Sequence, residues 1–434
     1  MQEINLEKND NKRQSFFNKL FLIGIFFLPT AFSFSGFILL ICVFNGALRN
    51  KGYFQDKFNI CFFSASIILL ISATVHTNFN DYLSNFPLNH SLSWIGLANW
   101  IPFFLCFWGF QPYLNSNLKR KKTGLIFIAG SFPVLITGIG QSFFNWYGPM
   151  ETLNGLIIWY QRPLDNITGM TGLFNNPNYT GLWLNLIFPF CLAELIHFRK
   201  YKLKSIFTYL FSFLFAFCTV LTNSRAAWIS ILMGSALMFG KKGLKFILYL
   251  LMSIFLVLSA TIFPILGNDT LFFLRSIIPS SIWMEFTDFQ ISRLDIWNSA
   301  LKTIINNPIF GTGGGSFPEI YKYETGLWKG HAHNLPLELF VSYGIPAGII
   351  ILLPITYLFL VSTKIIFFKR PIQTSIFDKA WLTSILLLLF SQLVDVQYFD
   401  GRISIVFWIL LSGARNIFDQ DKDNLSSSFK KISN

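Results

Sequence analysis

Long apolar segments separated by short polar connections recur along nearly the whole chain. Most of them approach the roughly 20 residues that an α-helix needs to cross the hydrocarbon core of a bilayer. The pattern predicts an all-α, polytopic integral membrane protein, one domain over residues 1–434, with about 12 transmembrane helices. The predicted spans are residues 20–34, 35–48, 58–76, 94–113, 124–142, 179–197, 204–222, 225–240, 244–265, 345–368, 378–396 and 402–417.

The first apolar stretch, residues 20–48, has three interpretations. It is one long span, two short spans that turn between Pro29 and Gly36, or a cleaved signal peptide. Apolar character continues to the basic Arg49 and Lys51, well beyond the short apolar core of a signal peptide. The distribution of charge favours two passes, but the sequence alone leaves open whether this stretch crosses once or twice.

Composition and charge support a membrane topology. The chain has 53% hydrophobic and 13% charged residues and a mean hydropathy of +0.51. With both termini cytoplasmic, 26 of the 34 Lys and Arg residues lie in inner connections, which is the positive-inside pattern. The net charge of +13 therefore reflects topology rather than a nucleic-acid partner. Segments 77–93, 143–178 and 267–344 are predicted to face outward, and residues 419–434 to form a disordered cytoplasmic tail.

The longest polar interval, residues 267–344, is predicted to be a large extracytoplasmic loop that forms a helical cap and carries the active site. Apolar spacing predicts a helix on which Arg293 and Trp297, four residues apart, share one face. Pro308 ends this helix. The glycine-rich run Gly311–Gly315 follows, and it can bring backbone N–H groups close to a ligand.

Two histidines stand at the end of this loop, just before an apolar helix predicted to begin at Leu335. An imidazole titrates near neutrality and suits general-base work on a sugar hydroxyl. His333 is the main candidate and His331 a supporting one; the alternative is that His333 only caps the helix. The sequence has no zinc-ligand spacing, acidic metal cluster or nucleophile elbow, so we expect no metal and no cofactor.

Three arginines on the predicted outer side are candidates for binding an anionic ligand. The guanidinium groups of Arg162, Arg225 and Arg293 can each bind phosphate through two parallel hydrogen bonds. A lipid diphosphate is a natural ligand for such a set. The alternative is that these arginines contact lipid headgroups or a loop carboxylate such as Asp295.

These residues fall within four motifs that are spread along the chain. The motifs are Gly172-Leu-Phe-Asn-Asn-Pro-Asn178, Asn-Ser-Arg225-Ala-Ala-Trp, Arg293-x-x-x-Trp297 followed by Asn-Pro-x-x-Gly-x-Gly, and His333-Asn334 running into Tyr-Gly-Ile-Pro-Ala-Gly348. In order, spacing and topology the chain resembles the O-antigen ligase and polymerase superfamily of bacterial membrane glycan transferases, which have a GT-C-like fold.

The resemblance implies an inverting, metal-independent glycan transfer on the outer, periplasmic face of the bacterial inner membrane. The donor would be a glycan on undecaprenyl diphosphate, and the acceptor a sugar hydroxyl of lipid A–core or a similar molecule. The family's arginines fall on Arg225 and Arg293 and its histidine on His333, while Arg162 matches less closely. The residues expected to support this site are His331, Trp297, Asn334 and Glu338.

The resemblance leaves the acceptor open. Ligase-like members often carry Glu two residues before the glycine that is Gly344 here, whereas this chain has Ser342 there and Glu338 one turn earlier. A Wzy-type O-antigen or exopolysaccharide polymerase and a protein O-oligosaccharyltransferase are therefore alternatives. A membrane transporter is the alternative from another class, and the scarcity of ionisable residues inside the predicted spans disfavours it. The identity of the glycan and the oligomeric state are not encoded in these motifs.

Overall fold

The computed structural model describes residues 2–78, 91–164, 169–262, 276, 293–368 and 375–432, and most of these residues are helical. The helices are α1 (Gln2–Phe27), α2 (Phe32–Arg49), α3 (Lys57–Asn78), α4 (Ser91–Leu97), α5 (Ile101–Gly109), α6 (Gln111–Leu114), α7 (Asn117–Gly130), α8 (Phe132–Phe144), α9 (Pro177–Phe198), α10 (Lys202–Leu221), α11 (Arg225–Phe239), α12 (Lys241–Ile262), α13 (Arg293–Asn306), α14 (Phe317–Thr325), α15 (Leu335–Phe368), α16 (Ile376–Val394) and α17 (Gly401–Ile432).

Within the described residues, eight helical stretches are long and apolar enough to cross a membrane. The predicted spans on α1, α11, α12 and α17 are not among them, so the count of about 12 is not confirmed. Helix α17 extends to Ile432, so its backbone is helical where the sequence predicts a disordered tail. The eight stretches are Phe32–Arg49, Lys57–Asn78, Ser91–Gly109, Asn117–Phe144, Pro177–Phe198, Lys202–Leu221, Leu335–Ile366 and Ile376–Val394.

Residues 20–48 form parts of two antiparallel helices rather than one continuous helix. The Ser35 hydroxyl donates to the carbonyl of Gly24 at 2.6 Å. Further along, the Cys42 thiol lies 4.0 Å from the carbonyl of Phe17. As the residue number rises on α2 it falls on α1, which is the pairing that a helical hairpin requires.

A short two-stranded hairpin accompanies the helices of this predominantly helical fold. Strand β1 (Met150–Thr152) pairs antiparallel with β2 (Ile157–Trp159). The connection between them contains Leu153, Asn154 and Gly155, all with positive φ, and Asn and Gly tolerate this conformation better than other residues. With only three residues in each strand, the hairpin has too little alternation to be recognised from hydropathy.

Helices α9 and α16 form the centre of the helical bundle, and 78% of the residues in the apolar part of each helix are buried. The Ser384 hydroxyl on α16 donates to the carbonyl of Leu186 on α9 at 2.7 Å. The indole of Trp381 donates to the carbonyl of Leu410 on α17 at 2.9 Å. A Cβ at Gly413 would lie 2.3 Å from the Trp381 ring, so this small residue lets α16 and α17 pack closely.

The described connections gather at two opposite ends of the bundle. At one end, the Trp159 indole in the hairpin donates to the carbonyl of Thr30, between α1 and α2, at 2.9 Å. The Ser72 hydroxyl, near the end of α3, donates to the carbonyl of Phe310 at 2.7 Å. We call this the site end. The charge pattern predicts that several segments face outward, and the described parts of these segments lie at this end.

The opposite end is held by a buried ion pair. Arg120 is fully buried, and its Nε and Nη2 donate to the two carboxylate oxygens of Asp378 at 2.6 and 2.9 Å. The Arg120 Nη2 also donates to Gln420 at 2.9 Å, so the pair connects α7, α16 and α17. A bidentate arrangement of this kind compensates much of the cost of burying both charges.

Helix α15 is broken at Gly344, where φ is 83° and ψ is 166°. The backbone N–H groups of Thr312 and Gly313 donate to the carbonyls of Val341 and Ser342 at 2.8 and 2.9 Å. These carbonyls end the first part of α15 and would otherwise lack partners. The expectation that the glycine-rich run offers its amides to a ligand is therefore wrong for Thr312 and Gly313, because both amides cap this half-helix.

The predicted helical cap, residues 267–344, is described at residue 276 and from residue 293 onward. This part contains α13, α14 and the start of α15, which pack around a small apolar cluster of their own. Its fully buried members include Ala300 on α13 and Phe317 on α14. The cluster gives α13, and with it Arg293 as the first residue of this helix, a fixed position against α15.

Candidate functional site

A short polar contact at the site end joins His333 to Asp395. The Nδ1 atom of His333 lies 2.9 Å from Oδ1 of Asp395. Asp395 follows the last residue of α16, and its side chain is only 9% exposed. His331 is part of the same group, because its Nε2 lies 3.6 Å from the same oxygen. We call His331, His333 and Asp395 the His–Asp cluster.

The charge on Asp395 decides the tautomer of His333. Burial alone would raise the pKa of the Asp395 carboxyl. The hydrogen bond from His333 and the nearby imidazoles outweigh this effect, so the pKa lies below its usual value. The carboxylate is then ionised at neutral pH and can only accept, so Nδ1 of His333 carries the proton. The lone pair of neutral His333 is therefore on Nε2, for which the described residues offer no hydrogen-bond partner.

His331 is fixed in a different state. Its pKa is lowered to about 4, chiefly because it is buried and further because His333 and Arg293 add positive charge, although Asp395 opposes the shift. The backbone N–H of His333 donates to Nδ1 of His331 at 3.3 Å. His331 is thus neutral near pH 7 with its proton on Nε2, a state that suits structural support better than proton transfer.

The loop that carries the histidines is fixed by a hydrogen bond to Glu338. The carboxylate of Glu338, 1% exposed, accepts the backbone N–H of Ala332 at 2.8 Å. His333 has a φ of 50°, which is uncommon for a residue other than glycine. The hydrogen bond from Ala332 to the buried Glu338 fixes the residue before His333. It therefore helps to maintain the positive φ of His333 and the orientation of its ring.

Asn334 has two structural roles. Its side-chain oxygen accepts the backbone N–H of Leu337 at 3.1 Å, so it caps the start of α15. Its side-chain nitrogen donates to the carbonyl of Leu393 at 2.9 Å. Asn334 therefore joins the beginning of α15 to the end of α16, and this junction brings His333 and Asp395 together.

Asp395 and Asn178 were not predicted as site residues from the sequence. Asn178, at the start of α9, donates to Oδ2 of Asp395 at 3.3 Å. The backbone carbonyl of Asn178 in turn accepts a hydrogen bond from the side chain of Gln397 at 3.2 Å. A concentration of polar residues after the apolar run of α16, from Gln392 to Arg402, was the available sequence signal for this region.

Arg293 is the predicted arginine whose charge acts on the cluster. It is the first residue of α13 and is exposed. Its charge contributes to lowering the pKa of His331. Trp297 lies one turn along α13, and its indole N–H is buried without a partner among the described residues. The two residues are thus on one helix, as predicted, one turn apart.

Arg225 and Arg162 lie at the site end but outside the hydrogen-bonded His–Asp cluster. Arg225 is exposed and begins α11, whose Ala227 packs closely against Gly181 near the start of α9. Arg162 is also exposed. Its backbone carbonyl accepts from Gln141 at 2.6 Å, which fixes the main chain while the side chain remains exposed to solvent.

The His–Asp cluster also has the composition of a metal site, since its candidate ligand atoms all lie within 4.8 Å of one another. The Asp395 oxygens, however, already accept three hydrogen bonds. The donors are Nδ1 of His333, the backbone N–H of Val396 at 3.0 Å, and Asn178. A cation would have to displace the first of these, so the donor set fits a hydrogen-bonded pair better than a metal centre.

These features define a multi-pass membrane protein with a polar cluster at one end of its helices. Residues 210–352 match the family model described as O-Antigen ligase, which confirms the resemblance predicted from the sequence. The match includes Arg225, Arg293 and His333. Asp395 lies beyond it, so only the three-dimensional structure connects this residue to the matched segment.

One curated relative gives a second comparison. The chain is 29% identical over 252 residues to a protein named ComP-specific O-oligosaccharyltransferase, from Acinetobacter baylyi. The aligned segment covers 56% of this chain and 43% of the relative. The match thus spans less than half the length of that protein.

Proposed function

We propose that this chain is an O-antigen ligase-like glycan transferase. It moves a glycan from undecaprenyl diphosphate to a sugar hydroxyl of lipid A–core or a similar acceptor, on the periplasmic face of the bacterial inner membrane. The observation that carries the proposal is the His333 imidazole, whose Nδ1 is held by a buried carboxylate while Nε2 has no described partner. The match of residues 210–352 to the O-Antigen ligase family supports it.

The reaction follows from the tautomer of His333. Nε2 accepts the proton of the acceptor hydroxyl as its oxygen attacks the anomeric carbon. A new C–O bond forms on one face while the bond to the diphosphate oxygen breaks on the other, and the electron pair leaves with the lipid diphosphate. Asp395 stabilises the imidazolium that results, as a buried carboxylate does in other His–Asp pairs. The product has the inverted anomeric configuration.

The arginines act on the leaving group. Negative charge grows on the diphosphate as the C–O bond breaks, and preorganised guanidinium groups stabilise that charge. Arg293 is the first candidate for this contact, because its charge contributes to lowering the pKa of His331. Arg225 and Arg162 are further candidates because their exposed side chains lie at the same end of the bundle.

A protein O-oligosaccharyltransferase is the second candidate, and the name of the Acinetobacter baylyi relative is the observation that favours it. The same His–Asp pair would deprotonate a serine or threonine hydroxyl instead of a sugar hydroxyl. A chain-extending polymerase would use the hydroxyl of another lipid-linked glycan. The three activities differ in the acceptor and share the chemistry at the donor.

The test is a transfer assay with competing acceptors. Purified protein in proteoliposomes receives an undecaprenyl-diphosphate glycan labelled in its sugar, with lipid A–core, unlabelled lipid-linked glycan or a serine-containing peptide as acceptor. The proposal predicts label on lipid A–core. Label in longer lipid-linked glycans identifies a polymerase, and label on the peptide identifies an oligosaccharyltransferase. Absence of transfer to all three contradicts glycan transfer.

The arginines allow a sharper test of diphosphate binding. Arg225→Lys and Arg293→Lys keep the charge but remove the planar pair of donors. We expect each to lower the rate by roughly 10- to 100-fold, which corresponds to the loss of a charge-assisted hydrogen bond. Arg13→Lys, at the opposite end of the bundle, is the matched control and should behave as wild type. Wild-type rates in both site variants at equal expression would exclude bidentate recognition.

Metal removal gives an independent prediction. Excess EDTA should leave the transfer rate unchanged, because the Asp395 oxygens already accept hydrogen bonds from His333, Val396 and Asn178. Added Mg²⁺, Mn²⁺ or Zn²⁺ should not raise the rate of the EDTA-treated protein. A loss on chelation that one of these ions restores would reassign the His–Asp cluster as a metal centre.

A further inference from the structure

A cavity of about 350 Å³ opens at the site end, between the α1–α2 connection, the β-hairpin, the start of α9 and the segment before α17. Its volume falls within the roughly 300–1,000 Å³ that is usual for small-molecule sites. None of the candidate residues predicted from the sequence lines it. The lining residues that matter are Phe32, Tyr160, Asn175, Phe399, Asp400 and Arg402.

The cavity adjoins the His–Asp cluster. The ring of Phe399, in the cavity wall, lies 6.1 Å from the ring of His331, with an angle of 20° between their planes. Asn175, also in the wall, stands three residues before Asn178, which bonds to Asp395. Phe399 is therefore both part of the cavity wall and stacked on the imidazole of His331.

Three aromatic side chains of the cavity wall are partly exposed. Phe32, Tyr160 and Phe399 are 43%, 39% and 38% exposed. The face of an aromatic ring carries partial negative charge, which attracts the positively polarised C–H groups of a neighbouring molecule. A pyranose has faces of axial C–H bonds and a rim of hydroxyls, so it can stack on such rings.

The polar part of the wall contains a buried ion pair. Arg402 and Asp400 are 7% and 8% exposed, and they bond to each other at 3.0 and 2.5 Å. This pair is neutral overall, which suits an uncharged ligand better than a diphosphate. The side-chain oxygen of Asn175, a residue of this wall, is buried and has no hydrogen-bond partner among the described residues. A buried amide oxygen is usually hydrogen-bonded, so Asn175 leaves one unsatisfied acceptor in the wall.

We propose that this cavity is a pyranose-binding subsite that holds a sugar of one substrate beside the His–Asp cluster. The inference rests on the proposed glycan transfer and adds to it the residues that recognise the sugar. The sugar belongs either to the donor glycan or to the acceptor. Both have the chemistry that the cavity recognises, and the experiment separates them.

The test is direct binding to the purified full-length protein, because free oligosaccharides lack the lipid diphosphate and cannot react. One probe is the oligosaccharide released by mild acid from the lipid-linked glycans of the host cell, and the other is core oligosaccharide freed from lipid A. We expect one of them to bind, and Tyr160→Leu and Asn175→Ala each to weaken its binding roughly tenfold. Tyr160→Phe should retain the wild-type affinity, since it keeps the ring.

Tyr147→Leu is the matched control, because Tyr147 is a tyrosine of the same segment that is 44% exposed and does not line the cavity. It should bind as wild type. Equal affinity in Tyr160→Leu and Tyr147→Leu, or no binding of either probe, overturns the subsite. If Tyr160→Leu selectively loses affinity while the wild-type protein transfers no glycan in proteoliposomes, the subsite stands and the proposed function fails.

Discussion

Replacing His333 with alanine should lower the rate of glycan transfer by roughly 10²–10⁴-fold, the usual contribution of a general base. The side chain is 27% exposed in a polar loop, and Ala332 and Asn334, not the His333 ring, hold this loop to Glu338 and Leu393. The variant should therefore fold, insert and bind the donor almost as wild type does. The measurement is the single-turnover rate with a labelled lipid-diphosphate glycan.

His331→Ala is the matched control, and it should have a much smaller effect. His331 is held neutral, with its Nδ1 occupied by a backbone N–H, so it has little capacity to take a proton from an acceptor. A His333→Ala protein that transfers at the wild-type rate would show that the base is assigned wrongly. Partial loss in each single variant and complete loss in the double variant would mean that the two imidazoles share the role.

Asp395→Asn should lower kcat by roughly 10²–10⁴-fold although the side chain keeps its shape. An amide can present its N–H group to Nδ1 of His333, which moves the imidazole proton to Nε2 and removes the lone pair that the acceptor needs. The KM values for both substrates should change little, because Asp395 acts through His333. Nitrogen-15 NMR of the imidazole should report the change of tautomer.

Asn178→Ala removes the contact to the other oxygen of Asp395 and leaves the His333 contact in place. It should reduce the rate by less than the Asp395→Asn change. If Asp395→Asn melts at a lower temperature than Asn178→Ala but transfers glycan as fast as Asn178→Ala does, Asp395 has only a structural role. An unchanged tautomer together with a large loss of rate would also contradict the assigned mechanism.

Local chemistry was sufficient to predict one half of the candidate site. An imidazole in a polar loop before an apolar helix made His333 a candidate, and helical spacing predicted a shared face for Arg293 and Trp297. The other half depends on distant contacts: Asp395 lies 62 residues beyond His333, and Asn178 lies 217 residues before Asp395. Such pairings depend on how α9, α15 and α16 pack, and no local pattern of residues encodes that packing.

The fold shows the same division. Hydropathy located the apolar helices because each must satisfy its backbone hydrogen bonds internally in a bilayer. It did not predict the break in α15, because the positive φ of Gly344 is stabilised by a loop about thirty residues earlier, where the N–H groups of Thr312 and Gly313 meet the end of the half-helix. A glycine-rich run that is suited to bind a ligand is equally suited to cap a helix, and only packing decides between them.

The anomeric configuration of the product tests the central claim most directly. The donor is a lipid-diphosphate glycan of known α configuration, the acceptor is lipid A–core or whichever acceptor the transfer assay identifies, and NMR reports the configuration of the new linkage. Direct displacement by a hydroxyl that His333 deprotonates predicts a β linkage. An α linkage would contradict the account, because retention excludes direct displacement from the face opposite the leaving group. Retention by double displacement would make Asp395 a candidate nucleophile rather than the partner of His333.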